Sequence, residues 1–496
     1  MWTRVDRVRD DELRTHLTSS NPWWQAAATK VSPTAWESSH RLLKNRALSD
    51  LGYRSDVLVD VAAGPVTDRL VVLTGPRRVG KSVVLLDAAA SLCRRPDIDP
   101  RQIIHVPCDE FRPQDLRRAL TLARELTKVI DRSAPKRRIW LLDEVTSIEG
   151  WTATLKSARD GTAFGDDTVV VTGSRWSDGA DIEGHLLAGR AGTVSGRRIR
   201  HLHPMNFRAF LAVTRPTVAL PKAVHPAELQ TSAVAASLEE VAFDLDAYDF
   251  AWQDYLTAGG FPRAVFEHTT DGAVSNSYLR DLAGWLRRDL NDEGPNDSLP
   301  LLLETLTIRA TSPLNIAGTA QHLGFTADVF RRRLGRLVSS FAALWCPQRN
   351  DVGRVVVGAQ SKLYLSDPIL SWLPNRLRAG CAEPAFTTLT ETTLGVALSR
   401  SIDELEEGRW ATNDTIGYTR TASGNEVDLA PTPVPTTAGH AMTTPIESKW
   451  VGTGWRSEAR VTEAKYNRGL IATKNLLDLN NPTWAIPAPL VALLLG

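Results

Sequence analysis

Between residues 55 and 215, short apolar runs alternate with stretches in which apolar residues recur at every third or fourth position. Leu70-Val71-Val72-Leu73, Ile103-Ile104-His105-Val106, Ile139-Trp140-Leu141-Leu142 and Val169-Val170-Val171 are continuous, rich in β-branched residues and closed by polar ones. That is the pattern of strands covered on both faces. Val57 to Val61 has the same character and reads as one more strand. A helix opens through Ser82-Val83-Val84-Leu85-Leu86, and an amphipathic one runs from Pro113 to Val129. Strand and helix in alternation predict an α/β fold: a buried parallel sheet with crossover helices.

The flanks read differently. Residues 1–52 form a polar helical lead-in, with Trp23, Trp24 and Trp36 expected at the surface and turns at Asn21-Pro22 and Ser32-Pro33. Past residue 215 the strand text stops, and Pro216, Pro221 and Pro226 lead into a helical stretch, 215–298, that ends at Glu293-Gly294-Pro295-Asn296-Asp297. Within 299–374, Ala317 to Leu323, a turn at Gly324-Phe325-Thr326 and Ala327 to Ser340 read as helix, turn, helix, with Ala320, Gly324 and Phe330 at the packing positions. Residues 375–496 return to mixed strand and helix around a proline-rich loop, Pro431 to Thr437. The chain therefore divides into a lead-in (1–52), an α/β domain (53–214), a helical linker (215–298), a helix-turn-helix unit (299–374) and a last mixed domain (375–496).

Composition narrows the class only a little. At 496 residues a multidomain chain is expected, and 43% hydrophobic with 23% charged residues is ordinary for a soluble protein. No run approaches the roughly 18 apolar residues of a membrane span. The charged opening, Met1-Trp2-Thr3-Arg4-Val5-Asp6-Arg7, lacks the apolar core of an export signal, so a cytoplasmic protein is expected. Cys93, Cys108, Cys346 and Cys381 are far apart without a C-x-x-C pair, which excludes a zinc ribbon and a disulfide framework and leaves them as buried small residues. A net charge of +1 offers no global attraction for nucleic acid, so any such binding must come from a local patch.

Chemistry enters at Gly75-Pro76-Arg77-Arg78-Val79-Gly80-Lys81-Ser82, followed by Val83, between the strand Leu70–Leu73 and the helix after it. Glycines there let backbone amides turn toward phosphate, a lysine reaches the outer phosphates, and a hydroxyl holds magnesium. ATP with Mg2+ is the expected ligand. Asp143 and Glu144 end the strand Ile139–Leu142 at the edge where open α/β sheets place ligands. Asp143 suits magnesium and Glu144 an attacking water, the alternative being a strand end that caps the next turn. The strand Ile103–Val106, sitting between the two motifs, favours an ATPase with an acidic water activator over a nucleotide kinase. Ser174, closing the strand after Val171, is a candidate to report on the outer phosphate. Arg190 is either a charge-stabilising arginine, in this chain or a neighbour's, or a solvated one.

The C-terminal half carries weaker signals. Arg331, Arg332, Arg333 and Arg336 on the second helix of the helix-turn-helix either contact DNA or RNA or form a solvated or docking face. Strand alternation puts Glu426 and Asp428 on one face of 425–429, and Glu447 and Lys449 on one face of 446–451. Two carboxylates and a lysine suit a magnesium-dependent phosphodiesterase, with Asp428 and Glu447 on metal and Lys449 on water; solvated charged strands are the alternative.

In combination these stretches resemble a bacterial and archaeal family of AAA-type P-loop ATPases followed by a winged helix and a PD-(D/E)xK nuclease-like domain. The residues that carry the likeness are Gly75 to Ser82, Leu142-Asp143-Glu144, Gly150-Trp151, Thr172-Gly173-Ser174, Leu187 to Arg190, Pro204-Met205-Asn206-Phe207, Gly259-Gly260-Phe261-Pro262, Arg288-Asp289, Lys362 to Asp367, Glu426-Val427-Asp428 and Ile446-Glu447-Ser448-Lys449. The resemblance implies a parallel-sheet ATPase domain, a winged-helix middle and a restriction-endonuclease-like C-terminal domain, with Glu391 as an additional acidic residue of the last site. Three positions depart from the family's habit: Arg78 and Ser82 stand where a glutamine and a threonine are usual, the serine keeping the hydroxyl for magnesium, and Trp450 stands where a small residue is. Three readings follow. ATP hydrolysis drives a nucleic-acid-facing second half; or ATP gates a metal-dependent nuclease; or ATP switches a non-nucleolytic scaffold or signalling protein. No membrane partner is expected, and an oligomer is compatible with all three.

Overall fold

The computed structural model describes residues 8–29, 31–128, 137–161, 164–174, 197–291, 298–421 and 424–496. Two compact units divide the chain, residues Met1–Leu202 and His203–Gly496. Among the described residues no helix is long and apolar enough to cross a membrane. Cys93, Cys108 and Cys346 are buried free thiols, whereas Cys381 is only half-buried.

The first unit is built on five parallel strands, β1 (Arg69–Thr74), β2 (Ile103–Pro107), β3 (Ile139–Asp143), β4 (Thr168–Gly173) and β5 (Ile199–His201), in the order β2-β3-β4-β1-β5. Every residue of β1, β3 and β4 is buried, as their unbroken apolar text requires. β5 carried no such run and was not anticipated. β2, between the two motifs along the chain, is the sheet's edge; β4 is the strand that separates β1 from β3 in space.

Two expectations are corrected here. Val57–Val61 is not a strand: Val59–Ala63 is a short helix, and its buried residues Leu58, Val61 and Ala62 follow helical spacing while Asp60 turns away to pair with Arg69 and Arg200. Trp23, Trp24 and Trp36 are not at the surface, with exposures of 0%, 9% and 6%. Helices α1 (Asp10–Ser20) and α2 (Trp23–Thr29) lie along the open side of β2 and do for it what a sixth strand would do. The Asn21 amide donates to the His105 carbonyl at 2.7 Å and accepts from the His105 N–H at 2.6 Å. Both indole N–H groups, of Trp23 and Trp24, donate to the Ile103 carbonyl at 2.9 and 2.8 Å, and His16 Nε2 lies 3.0 Å from the Pro107 carbonyl. An edge strand left bare would expose a row of unpaired backbone groups.

The second unit begins with helices, among them Phe207–Thr214, Leu245–Ala258, Pro262–Asp271 and Asn276–Leu290. Helices Leu299–Arg309, Ile316–His322 and Ala327–Ser339 follow, the last two joined by a tight turn with Gly324 at φ +72°. Ala320 and Phe330 are buried between them, and Asn315 and Thr326 cap the two helices. An antiparallel pair, β6 (Ala343–Cys346) and β7 (Lys362–Leu365), completes this part. Beyond helix Phe386–Leu405 come two antiparallel pairs, β8 (Thr419–Arg420) with β9 (Glu426–Val427) and β10 (Pro433–Thr436) with β11 (Gly439–Met442), so most of the stretch expected as a proline-rich loop is one strand of a two-stranded ribbon, where proline is tolerated because one edge stays unpaired. Last is a parallel sheet of β12 (Ile446–Ser448), β13 (Gly469–Thr473) and β14 (Thr483–Pro487).

Replacing Asn21 by alanine strips the His105 N–H and carbonyl of their partners inside the protein. At about 1–3 kcal/mol for each buried unpaired group, the first unit should lose ~2–6 kcal/mol. Denaturant unfolding followed through a probe in that unit measures it, and a loss under about 0.5 kcal/mol would show that β2 does not depend on this clamp.

Candidate functional site

The phosphate-loop residues form a tight turn between β1 and α3 (Lys81–Cys93). Gly75 is forced: a Cβ there would lie 2.1 Å from the Leu202 carbonyl oxygen. Gly80 caps the helix at φ +104°, a conformation costly for any residue with a Cβ. Arg78 takes a left-handed φ of +69° and is exposed, Arg77, Ser82 and Val83 are half-buried, and Pro76 and Val79 are buried.

Lys81 is 4% exposed. Its ammonium donates to the carbonyls of Gly75 and Pro76, both at 3.0 Å, and lies 3.6 Å from Glu144 Oε1. Burial pushes its pKa below the ordinary lysine value, with Glu144 and Asp143 pulling the other way. The charge is thus held by neutral carbonyls and one longer ion pair.

Asp143 ends β3 and is buried. Its Oδ1 accepts from the Thr172 hydroxyl at 2.5 Å, and the Thr172 oxygen in turn accepts from the Glu144 N–H at 2.9 Å. Glu144 sits at φ +52°, an uncommon conformation for glutamate and one that recurs at functional strand ends. Its Oε2 accepts from the Ser174 hydroxyl at 3.1 Å. Lys81, Asp143, Glu144 and Ser174 therefore converge at the C-terminal ends of three adjacent strands. Arg190 lies outside the described residues. Thr172 was missed in the sequence as a site residue, although strand alternation puts it on the same side as Ser174. A Cβ on Gly173 between them would collide with Thr146 at 2.0–2.5 Å. The Ser82 hydroxyl and the Asp143 carboxylate are hard oxygen donors, which together with phosphate oxygens and water suit Mg2+.

A second cluster lies in the second unit. Asp428, Glu447, Lys449 and Glu391 do come together, but around a residue whose part in this site the sequence did not reveal. Lys362, at the start of β7, is 0% exposed, with its ammonium 2.8 Å from Glu391 Oε1, 2.6 Å from Glu426 Oε1 and 3.0 Å from Asp428 Oδ1. Asp428 Oδ2 accepts from the Ser448 N–H at 3.0 Å; Glu447 Oε2 accepts from the Asp428 N–H at 3.1 Å, and its Oε1 pairs with Lys449 at 2.9 Å. The Tyr364 hydroxyl donates to Glu391 Oε1 at 2.8 Å. A magnesium ion on Asp428 and Glu447 does not fit this arrangement, because an ammonium already stands among the carboxylates. Among the described residues no group of three acidic, histidine or cysteine side chains is arranged to hold a metal. The signal was available: Lys-Leu-Tyr-Leu is an apolar strand whose two polar residues share one face.

The four arginines of helix Ala327–Ser339 do not act alike. Arg331 and Arg332 are exposed, Arg331 beside Asp328 at 3.0 Å. Arg333 reaches Ser298 Oγ at 2.5 Å and stacks 4.3 Å from the Phe325 ring centre, and Arg336 donates to the Leu290 carbonyl at 2.6 Å.

Residues 67–211 match the model of a family described as an AAA domain, and this part of the chain is an AAA-type P-loop ATPase domain. An uncharacterised protein of Haemophilus influenzae is 29% identical over 311 residues, covering 61% of this chain and 68% of the relative. Among solved structures, a Walker-type ATPase of Pyrococcus abyssi is similar over 62% of this chain and 91% of its own, at 15% identity and a TM-score of 0.37. The ORC2 protein of Aeropyrum pernix is similar over 61% and 86%, at 12% identity and a TM-score of 0.30.

Burial, with Asp428's charge adding, pushes Glu391 up to about 7 and Glu447 up to about 8, against the opposing pull of Lys362 and Lys449. Acids raised in this way hold protons more tightly when folded than when unfolded. Their stabilising contribution is complete below the ordinary glutamate range and is lost as pH rises through about 7 and 8. The second unit should accordingly be less stable at pH 9 than at pH 6, and Glu447→Gln should flatten that slope in thermal unfolding. An unchanged slope would rule out Glu447 as its source.

Proposed function

We propose that the first unit binds ATP with magnesium at Gly75–Ser82 and hydrolyses it, and that nucleotide state governs a nucleic-acid-facing second unit. The observation that carries the hydrolytic half is the Lys81–Glu144–Ser174 chain of contacts, 3.6 and 3.1 Å, which joins the loop's lysine to the residues that follow β3 and β4. In this reading Lys81 exchanges its two carbonyl partners for phosphate oxygens, and the loop amides with the N-terminus of α3 supply further positive potential. Ser82 and Asp143 hold the magnesium ion, which when bound draws charge from the transferring phosphoryl group. Glu144 orients the attacking water and takes up its proton. Ser174, bonded to Glu144, links that carboxylate's position to the outer phosphate. Thr172 fixes both acids at once and is a positioning residue.

For the second unit the reading assigns a helical linker over 215–298, a winged helix over 299–374 and a restriction-endonuclease-like segment over 375–496. Three helices followed by the antiparallel β6–β7 pair support the winged helix, and the parallel β12–β13–β14 sheet flanked by Glu447 and Lys449 supports the last segment. Exposed Arg331 and Arg332 are the residues proposed to contact DNA or RNA; Arg333 and Arg336 are committed to packing.

Lys81→Ala should weaken ATP binding by ~10-fold or more, the worth of a charge-assisted contact. Glu144→Gln should keep the affinity while turnover falls by ~100-fold or more. Nucleotide affinity and single-turnover hydrolysis separate the two, and a Glu144→Gln protein with normal turnover would remove the glutamate from the mechanism. The nucleic-acid half rests on its own measurement, ATP turnover with and without DNA and RNA. Arg331→Ala and Arg332→Ala should each lower the salt dependence of DNA binding by about one unit of log–log slope. Equal slopes in wild type and both variants would dismiss that surface.

A further inference from the structure

We propose that Lys362 is the resident cation of the carboxylate cluster in the second unit, and that the cluster is a closed clasp that binds no divalent metal. The proposal concerns a different site from the ATPase reading and stands or falls separately.

A lysine ammonium carries three N–H donors. Here it meets three carboxylates, one oxygen each from Glu391, Glu426 and Asp428, at 2.6–3.0 Å. Two of the outward oxygens also have donors: Glu426 Oε2 pairs with Arg420 at 3.1 Å and Asp428 Oδ2 takes the Ser448 N–H, while the neighbouring Glu447 takes Lys449 and the Asp428 N–H. The Tyr418 ring lies 5.5 Å from the ammonium and covers it further. Four carboxylates thus face three cations.

Magnesium requires six oxygens in an octahedron at about 2.1 Å, and manganese a similar oxygen shell. To enter, a dication would have to displace the ammonium or sit beside it, where burial of the ammonium leaves the repulsion weakly screened. Displacement is opposed by burial. The Lys362 side chain is fully buried, and Tyr364, two residues on along β7, is bonded to the same Glu391, so freeing the ammonium means moving its stem through a packed interior. A buried ammonium withdrawn from its partners would also be left uncompensated.

The clasp has a mechanical consequence. Its members come from β7, helix Phe386–Leu405, β9 and β12, so a single ammonium ties the hairpin that follows the helix-turn-helix to the elements of the last segment. A carboxylate cluster used in this way transmits position. It does not supply a metal-bound hydroxide, and the activity assigned to this unit is therefore binding and relay, with no metal-dependent strand cleavage.

The test uses the full chain without nucleotide and with Mn2+ as probe, followed by its electron paramagnetic resonance and by thermal unfolding. To silence the first unit, Asp143→Asn is compared with Asp143→Asn/Asp428→Asn. The expected result is identical Mn2+ titrations of the two variants and, in each, a second-unit midpoint that Mn2+ does not move. A saturable Mn2+ site present in the single variant and lost in the double overturns the proposal. Lys362→Met, which keeps the stem and removes the charge, should lower the second unit's midpoint by about 10 °C. Mn2+ should recover part of that loss, a dependence absent from wild type. A Lys362→Met protein as stable as wild type and indifferent to Mn2+ also overturns it. Should that variant not fold, the Asp143→Asn comparison decides alone.

Discussion

Because β4 is hydrogen-bonded to β1 on one side and to β3 on the other, its last residues sit between the phosphate loop and the acidic pair. Everything at the first site follows from that placement. Thr172 can reach Asp143 and the Glu144 backbone only from an adjacent strand, and Ser174, two residues on, then falls beside the Glu144 carboxylate. The left-handed backbone at Glu144 is the local cost, and the Thr172 bond to its N–H is what holds it. A sheet with β1 and β3 adjacent would put the loop and the acids in contact with nothing to relay between them.

The second unit is organised by buried polar groups in the same manner. Asp367 accepts the Gly260 and Ile369 N–H groups at 2.9 and 3.0 Å, while Arg400 donates to the Pro204 and Ser366 carbonyls at 2.9 and 3.3 Å. Gly260 must be glycine, since a Cβ would lie 2.0 Å from the Met205 carbonyl, to which Tyr255 also donates. Pro204–Phe207, Gly259–Pro262 and Lys362–Asp367, three stretches distant along the chain, are therefore one structural joint. Their specificity reflects close backbone approach and satisfied hydrogen bonds, which constrain residue type as tightly as catalysis does.

What the sequence made legible was set by local rules. Glycines at a phosphate turn, carboxylates at a strand end and the cap residues of a helix-turn-helix each act over a few residues, and Gly75, Gly80, Asp143, Glu144 and Gly324 occupy the predicted places. What stayed hidden depended on partners far along the chain. Trp23 and Trp24 read as surface residues because nothing nearby shows that their indoles close the edge of a strand some 80 residues on. Val57–Val61 has strand composition, yet Asp60 is claimed by Arg69 and Arg200, and the helical spacing of Leu58, Val61 and Ala62 prevails. Four arginines in six positions looked like one basic face until two of them were spent on Ser298, Phe325 and Leu290.

The two buried lysines make the contrast between the sites quantitative. Lys81 and Lys362 are 4% and 0% exposed, so burial opposes the charge of both. At Lys81 the compensation is two carbonyl oxygens and a carboxylate at 3.6 Å, and burial prevails, lowering its pKa. At Lys362 three carboxylates within 3.0 Å outweigh burial, and its pKa rises. An under-compensated ammonium gains by meeting an anion, since a charged acceptor replaces neutral ones. A saturated one can only lose by exchange. The same residue type therefore makes a receptive site at the end of one sheet and a closed clasp in the other unit, and the difference lies in how many carboxylates the fold brings within reach.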